Sequence, residues 1–122
     1  MTNIIEAVKS IISKNEKITC VKRINDEIFF LFNEKYKLSM MSYHENSDRF
    51  EYLLNCYPGT EKLEELYTLV EANEINKVSS ITYRTDELKS REAYESFQQL
   101  FKIIEEKSLG IDKILDEIIS IE

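Results

Sequence analysis

The sequence predicts an α+β domain in which a four- to five-stranded, mainly antiparallel sheet is covered by helices. Apolar residues recur at helical spacing near both ends of the chain, whereas β-branched and aromatic residues fill short segments between residues 18 and 57. The polar turns between those segments are too short for a crossover helix, which favours an antiparallel meander. The predicted order is helix, four-stranded meander, helix, strand and two helices, in a single domain over residues 1–122.

The first half of the chain accounts for one helix and the meander. Isoleucines and a valine at helical spacing predict a helix over about residues 3–14, with Asn3 as its cap and Glu6 reaching back to it. The predicted strands are ITCVKRI (18–24), EIFFLF (27–32), YKLSMMSY (36–43) and RFEYLLNCY (49–57). Alternation predicts two sets that meet across the last hairpin, namely Tyr36, Leu38 and Met40 on one strand and Phe50, Tyr52, Leu54 and Cys56 on the other.

The second half predicts three helices and one strand. Thr60, after Pro58-Gly59, is the expected cap of a helix with an apolar stripe of Leu63, Leu66, Tyr67 and Val70. KVSSITYRT (77–85) predicts a fifth strand at an edge of the meander. Thr85 marks the expected start of a long helix that ends at Gly110. The last helix carries an apolar side of Ile111, Ile114, Leu115, Ile118 and Ile119.

The run Phe29–Phe32 predicts a strand that is covered on both faces, because consecutive side chains point to opposite sides of a sheet. Helices would cover one face. The N-terminal helix or another protein chain would cover the other, so this run indicates self-association, as in a homodimer, or a partner interface.

Charge is distributed unevenly along the chain. The formal net charge is -7, and all of it lies in residues 61–122, since acidic and basic residues balance over residues 1–60. This field favours a more basic protein partner and disfavours direct binding of nucleic acid or of a membrane. No secretory signal or apolar run long enough to span a bilayer is present in the sequence, so we expect a cytoplasmic protein.

The sequence offers few groups for catalysis. His44 is the only histidine and lies at a polar turn, where a structural role is favoured. Cys20 and Cys56 match no metal or redox motif and are expected to be reduced core thiols. The two glycines form no phosphate-binding loop. We therefore assign no catalytic residue, cofactor or metal, and two facing acidic helices would be needed to hold a hard cation.

The favoured hypothesis is a non-enzymatic, acidic interaction domain that binds a more basic protein and inhibits or chaperones it. Bacterial immunity proteins, phage-encoded inhibitors and secretion chaperones have this size and sign of charge, although no motif ties the sequence to any of them. The abundance of Ile, Lys, Asn and Glu is typical of AT-rich bacterial or phage genomes. The expected protein-binding residues are Glu61, Glu64, Glu65, Glu71, Glu74, Asp112 and Asp116.

Two alternatives remain open. A small-molecule binder or small enzyme would have a pocket between the sheet and the helices, with convergent polar groups such as Arg84, Tyr83 and Tyr94. A DNA mimic would carry carboxylates spaced like phosphates on one surface.

Overall fold

The structure is a computed structural model that describes residues 3–44 and 49–122. Its helices are α1 (Ile4–Ser13), α2 (Leu63–Glu71), α3 (Thr85–Leu88), α4 (Arg91–Ser108) and α5 (Ile111–Ile119). Its strands are β1 (Ile18–Ile24), β2 (Glu27–Phe32), β3 (Tyr36–His44), β4 (Phe50–Tyr57) and β5 (Ile81–Arg84). They form one antiparallel sheet in the order β1-β2-β3-β4-β5, so the predicted fold class is confirmed, including the fifth strand at the edge.

Asparagine in the left-handed region helps to close the short hairpins. Asn25 (φ 56°) lies between β1 and β2, and Asn33 (φ 54°) with Glu34 (φ 59°) lies between β2 and β3. Asparagine adopts this conformation more readily than most residues, which explains turns as short as those predicted. His44 is the last residue of β3, and the rest of the predicted turn, 45–48, lies outside the described residues.

The first core cluster lies between the sheet and the helices α1 and α4. Leu38 pairs with Cys56 and Met40 with Leu54, so the two predicted sets of side chains meet across the β3–β4 hairpin. The outer members of those sets, Tyr36 and Phe50, are exposed at 50% and 48%. The long helix α4 contributes its apolar face to this cluster, because Phe97, Leu100, Phe101 and Ile104 are buried in it and Tyr94 packs against it.

The second core cluster covers the opposite face of the sheet. Phe29 and Phe30 are both fully buried but belong to different clusters, as strand alternation requires. Phe29 packs against Leu63 and Leu66 of α2, and its ring centroid lies 5.9 Å from that of Tyr57. The second cover is therefore α2, and the expectation that it would be the N-terminal helix or another chain was wrong.

A bulge interrupts the edge strand β1. Two residues, Cys20 and Val21, stand opposite the single residue Phe30 of β2, and Cys20 has a left-handed backbone (φ 55°). Cys20 is exposed, so the expectation that it is a core thiol was wrong. Tyr67 of α2 donates a hydrogen bond of 3.0 Å to the Cys20 carbonyl, which ties α2 to this edge.

The long C-terminal helix does not begin at Thr85 as expected. Thr85–Leu88 forms the separate helix α3, which ends at Lys89 in the left-handed region (φ 49°), and α4 begins at Arg91 with Ser90 as its cap. The Thr85 hydroxyl accepts from the Tyr52 amide at 2.9 Å and donates to Glu51 at 2.5 Å. These bonds hold the start of α3 against β4, so a change of direction is needed before α4 crosses the sheet.

Replacing Leu66 by alanine tests the assignment of α2 as the second cover. Leu66 is fully buried, so we expect Leu66→Ala to lower the free energy of unfolding by about 2–5 kcal/mol in urea denaturation followed by circular dichroism. Val70→Ala, at a half-buried position of the same helix, should cost less. Equal and small losses would show that α2 does not seal this face.

Tyr67 provides a test at high pH. Burial, first of all, raises the pKa of Tyr67 to about 12, so the unfolded chain releases this proton before the folded chain does. The contribution of Tyr67 is therefore complete below about pH 10 and is lost as the pH rises towards 12. Tyr67→Phe should cost about 0.5–1.5 kcal/mol at neutral pH, and less at pH 11, by urea denaturation. A constant difference would contradict this assignment.

Candidate functional site

The clearest surface feature is the apolar side of α5, which we call the α5 stripe: Ile114, Leu115, Ile118 and Ile119. These residues are exposed at 46%, 51%, 57% and 79%, and α5 has no buried residue. Gly110, in the left-handed conformation (φ 65°), separates α5 from α4, which α5 contacts. Within residues 3–44 and 49–122, nothing buries the α5 stripe.

Carboxylates border the α5 stripe on both sides. Around the helix, Asp112 and Asp116 lie next to Ile119 at one edge of the stripe. Glu117 lies next to Ile114 at the other edge. Lys113 is the only cation of this helix, and all four charged residues are exposed. A large apolar surface is thus combined with a locally negative potential.

The structure divides the predicted binding residues between two regions. Asp112 and Asp116 lie on α5, on the side of the molecule where α4 packs, while the five glutamates lie on or beside α2 on the other face of the sheet. The described residues therefore do not form one continuous acidic site. Within 3–44 and 49–122 there is also no group of three or more His, Cys, Asp or Glu side chains that could hold a metal ion.

The glutamates around α2 have different surroundings. Glu64 and Glu71 are exposed, while Glu74 pairs with Lys77 at 3.2 Å. Glu65 accepts from the Lys62 amide at 3.4 Å, so the helix is capped at Lys62 and the expectation that Thr60 would cap it was wrong. Glu61 precedes the helix, and its Oε1 is buried with no hydrogen-bond partner among the described residues.

A second feature is a groove of about 990 Å³ at the end of the sheet, which we call the sheet-end groove. It runs between α1, the β2–β3 turn and the segment 58–62 that leads into α2. Its apolar walls include Ile11, Phe32, Leu38 and Leu63. Cys56 also lines it, and burial raises the pKa of this thiol, as expected for a poorly hydrated wall.

Lys37 connects this groove to the start of α2. Its ammonium donates to the backbone carbonyls of Gly59, at 2.7 Å, and Glu61. The side chain is half-buried, and in the described part of the chain no carboxylate pairs with it. No linear motif marks Lys37 and Glu61, so the sequence did not identify them as a pair.

The residues proposed for a small-molecule pocket do not converge. Tyr83 pairs with Leu54 and packs against the first cluster, so the adjacent Arg84 points to the opposite face of the sheet. Arg84 pairs with Glu87 at 3.4 Å, whereas the Tyr94 ring lies 4.0 Å from the guanidinium carbon of Arg49. The expectation of a common site for Arg84, Tyr83 and Tyr94 was therefore wrong.

His44 and the buried polar residues have structural partners. The exposed His44 lies against Phe50 with ring centroids 3.8 Å apart, as cross-strand neighbours.

The Glu27 carboxylate accepts hydrogen bonds from Ser39, from Tyr57 at 3.0 Å and from Asn55 at 3.2 Å. Burial raises the pKa of Tyr57, which keeps its hydroxyl a donor. Ser39 is fully buried, whereas Glu27 and Asn55 are half-buried, and the network links strands β2, β3 and β4.

Comparisons with known proteins assign no function. No protein-family model matches the chain, and no curated protein or solved structure matches it significantly. Among residues 3–44 and 49–122, no helix has both the length and the apolar character needed to cross a membrane.

Gly59→Ala tests the buried position of the Glu61 carboxylate. A Cβ at residue 59 would lie 2.3 Å from Glu61 Oε1, so the flexible carboxylate has to move away. We expect the substitution to be neutral or to stabilise the fold by up to about 1 kcal/mol, because it displaces an unpaired buried oxygen and restricts the unfolded chain. Urea denaturation measures the effect. A loss above about 1 kcal/mol would mean that the carboxylate stabilises the loop where it lies.

Proposed function

We propose that this protein is an acidic interaction domain that binds a more basic protein through α5. The observation that carries the proposal is the α5 stripe: a helix in which no residue is buried presents four large apolar side chains to solvent. Isolated helices of fewer than about 12–15 residues are marginal in water, and α5 has nine. A partner surface that covers the stripe would stabilise the helix while burying its apolar side.

The spacing of the stripe fits one mode of recognition. With Ile111, Ile114, Leu115 and Ile118, the apolar positions follow the i, i+3, i+4, i+7 pattern of a helix that lies in an apolar groove. Ile111, at the start of α5, is half-buried, whereas the four residues of the stripe are exposed. In the complex, α5 would insert into a groove on the partner, which encloses more of each side chain than a flat contact does.

The charges around the stripe select the partner. Asp112, Asp116 and Glu117 would face lysine or arginine residues at the rim of the partner's groove, which speeds association and sets its orientation. A second copy of the chain would bring the same carboxylates together, and anionic lipid or nucleic acid would be repelled. A basic protein is therefore the favoured partner, and a homodimer through α5 is a measurable alternative.

The biological consequence of binding follows from the kind of complex. An acidic domain that covers a basic, apolar groove on another protein would block that groove or protect it from other contacts, so inhibition, immunity or chaperoning is the proposed class of function.

The unpaired cysteines Cys20 and Cys56 are compatible with a reducing compartment, which supports a cytoplasmic location.

Site-specific crosslinking identifies the partner. A photoreactive residue at position 119, on the stripe, should capture a basic protein in the native cells, whereas the same residue at position 71, on α2, should not. Equal capture from both positions would argue against a site on α5. A crosslink between two copies would assign α5 to a homodimer instead.

Matched variants then test the stripe with the purified partner. Ile114→Ala and Ile118→Ala should each weaken binding by about tenfold in calorimetry, because partly exposed apolar groups become buried in the complex. Both should keep the unfolding midpoint, since alanine favours helix and neither site is in the core.

Charge variants separate the acidic rim from the other acidic region. Asp112→Asn with Asp116→Asn should slow association and reduce its salt dependence, while Glu64→Gln with Glu71→Gln on α2 should change neither. If the alanine variants bind like the wild type and only removal of many carboxylates abolishes binding, a DNA-mimic mode would replace this proposal.

A further inference from the structure

The sheet-end groove has the dimensions and lining of a ligand site that is independent of α5. Its volume of about 990 Å³ lies at the upper end of the range for small-molecule sites, which are mostly apolar with a few polar groups. Ile11 contributes from α1, Phe32 and Leu38 from the sheet, and Leu63 from α2, so three layers of the fold form its walls. No residue of α5 lines it.

Two polar groups in this groove have unused hydrogen-bonding capacity. The Lys37 ammonium has three N–H donors, and two of them are bonded to the carbonyls of Gly59 and Glu61. Glu61 Oε1 is buried and accepts no hydrogen bond from residues 3–44 and 49–122. A buried polar atom without a partner is uncommon in proteins and calls for an explanation, and a hydrogen bond from an occupant of the groove would supply one. Because Glu61 lines the groove, rotation of its side chain presents the carboxylate to an occupant.

The charge of the lining narrows the chemistry of that ligand. Three lysines and three glutamates lie around the groove: Lys35, Lys37, Lys62, Glu34, Glu61 and Glu64. This balance favours neither an anion nor a cation. We propose that the sheet-end groove binds an apolar molecule whose polar end is an amide, with its N–H donating to the Glu61 carboxylate and its carbonyl oxygen accepting from Lys37.

An amide of this kind has two sources with the same chemistry. It can be the head of an aliphatic amide or the backbone of an apolar peptide, and in both a donor and an acceptor lie side by side next to apolar groups. The groove is partly open to solvent, so it admits either. The two sources are distinguished by comparing octanamide with N-acetyl-leucyl-leucinamide as probes.

Four probes that share one aliphatic tail test the proposal on the full chain. Octanamide, octanoate, octylamine and octan-1-ol are titrated into ¹⁵N-labelled protein, and amide chemical shifts report both site and affinity. Octanamide should bind about threefold to tenfold more tightly than octanoate, which lacks the donor, and than octylamine, which lacks the acceptor. Shift changes should concentrate at residues 7–11, 35–38 and 58–63.

Two variants make distinct predictions about specificity. In Lys37→Met the carbonyl loses its donor, so octylamine should bind as well as octanamide. In Glu61→Ala the N–H loses its acceptor, so octanoate should bind as well as octanamide. Lys35→Met and Glu64→Gln, which change neighbouring charges, should keep the wild-type order, and Ile118→Ala on α5 should not affect any probe.

Clear results would overturn the proposal. Tighter binding of octanoate or octylamine than of octanamide to the wild type would show that the groove selects charge. Shift changes elsewhere in the protein, no shift change with any probe, or the same order of affinities in all variants would show that Lys37 and Glu61 do not form a site. Because Lys37 also holds the segment before α2, the Glu61→Ala result stands even if Lys37→Met unfolds.

Discussion

The fold depends on one constraint: the central strands carry large apolar side chains on both faces, and both faces have to be covered by the same short chain. Phe29 and Phe30 are neighbours in β2 and are both fully buried, on opposite sides of the sheet. Leaving either in water would forgo about 1.5–3 kcal/mol. The helices α1 and α4 cover one face and α2 covers the other, so the apolar sides of these three helices are all used to cover the sheet.

Because the sheet is already covered on both faces, α2 and α5 differ in the burial of their apolar sides, although both helices combine an apolar stripe with acidic residues. In α2, Leu63 and Leu66 are buried against the sheet, and the exposed side carries three glutamates and Thr68. In α5, both the apolar and the acidic sides face solvent. Acidic residues alone give a weak, screened interaction, whereas an apolar surface framed by them provides affinity as well as orientation. The two acidic regions are therefore not equivalent candidates for binding.

Covering the sheet from both sides also leaves its end open. The sheet-end groove is lined by residues of α1, of the β2–β3 turn and of the start of α2. Lys37 spans this junction by holding two carbonyls of the segment before α2, and Thr85 holds the start of α3 in a similar way through Glu51. Polar side chains thus fix the positions of connections that apolar packing leaves undetermined.

The sequence by itself determined the secondary structure closely. Period-two alternation and polar turns defined the four strands of the meander, and helical spacing defined α1, α2 and α5, because these signals depend only on neighbouring residues. The break at Lys89 was missed, since it depends on bonds from Thr85 to β4 that no local pattern contains. The contact between Lys37 and Glu61 was missed for the same reason, because the two residues are 24 positions apart.

Only the tertiary structure decided which apolar stripe becomes core and which stays exposed. An amphipathic pattern states that one side of a helix prefers an apolar surface, but it does not state which surface is available. The available surface depends on the number of sheet faces, on which helices cover them and on where polar contacts anchor the connections. The apolar side of α2 packs on a face of the sheet, whereas the α5 stripe does not. Burial therefore depends on the packing of the whole domain and not on the segment alone.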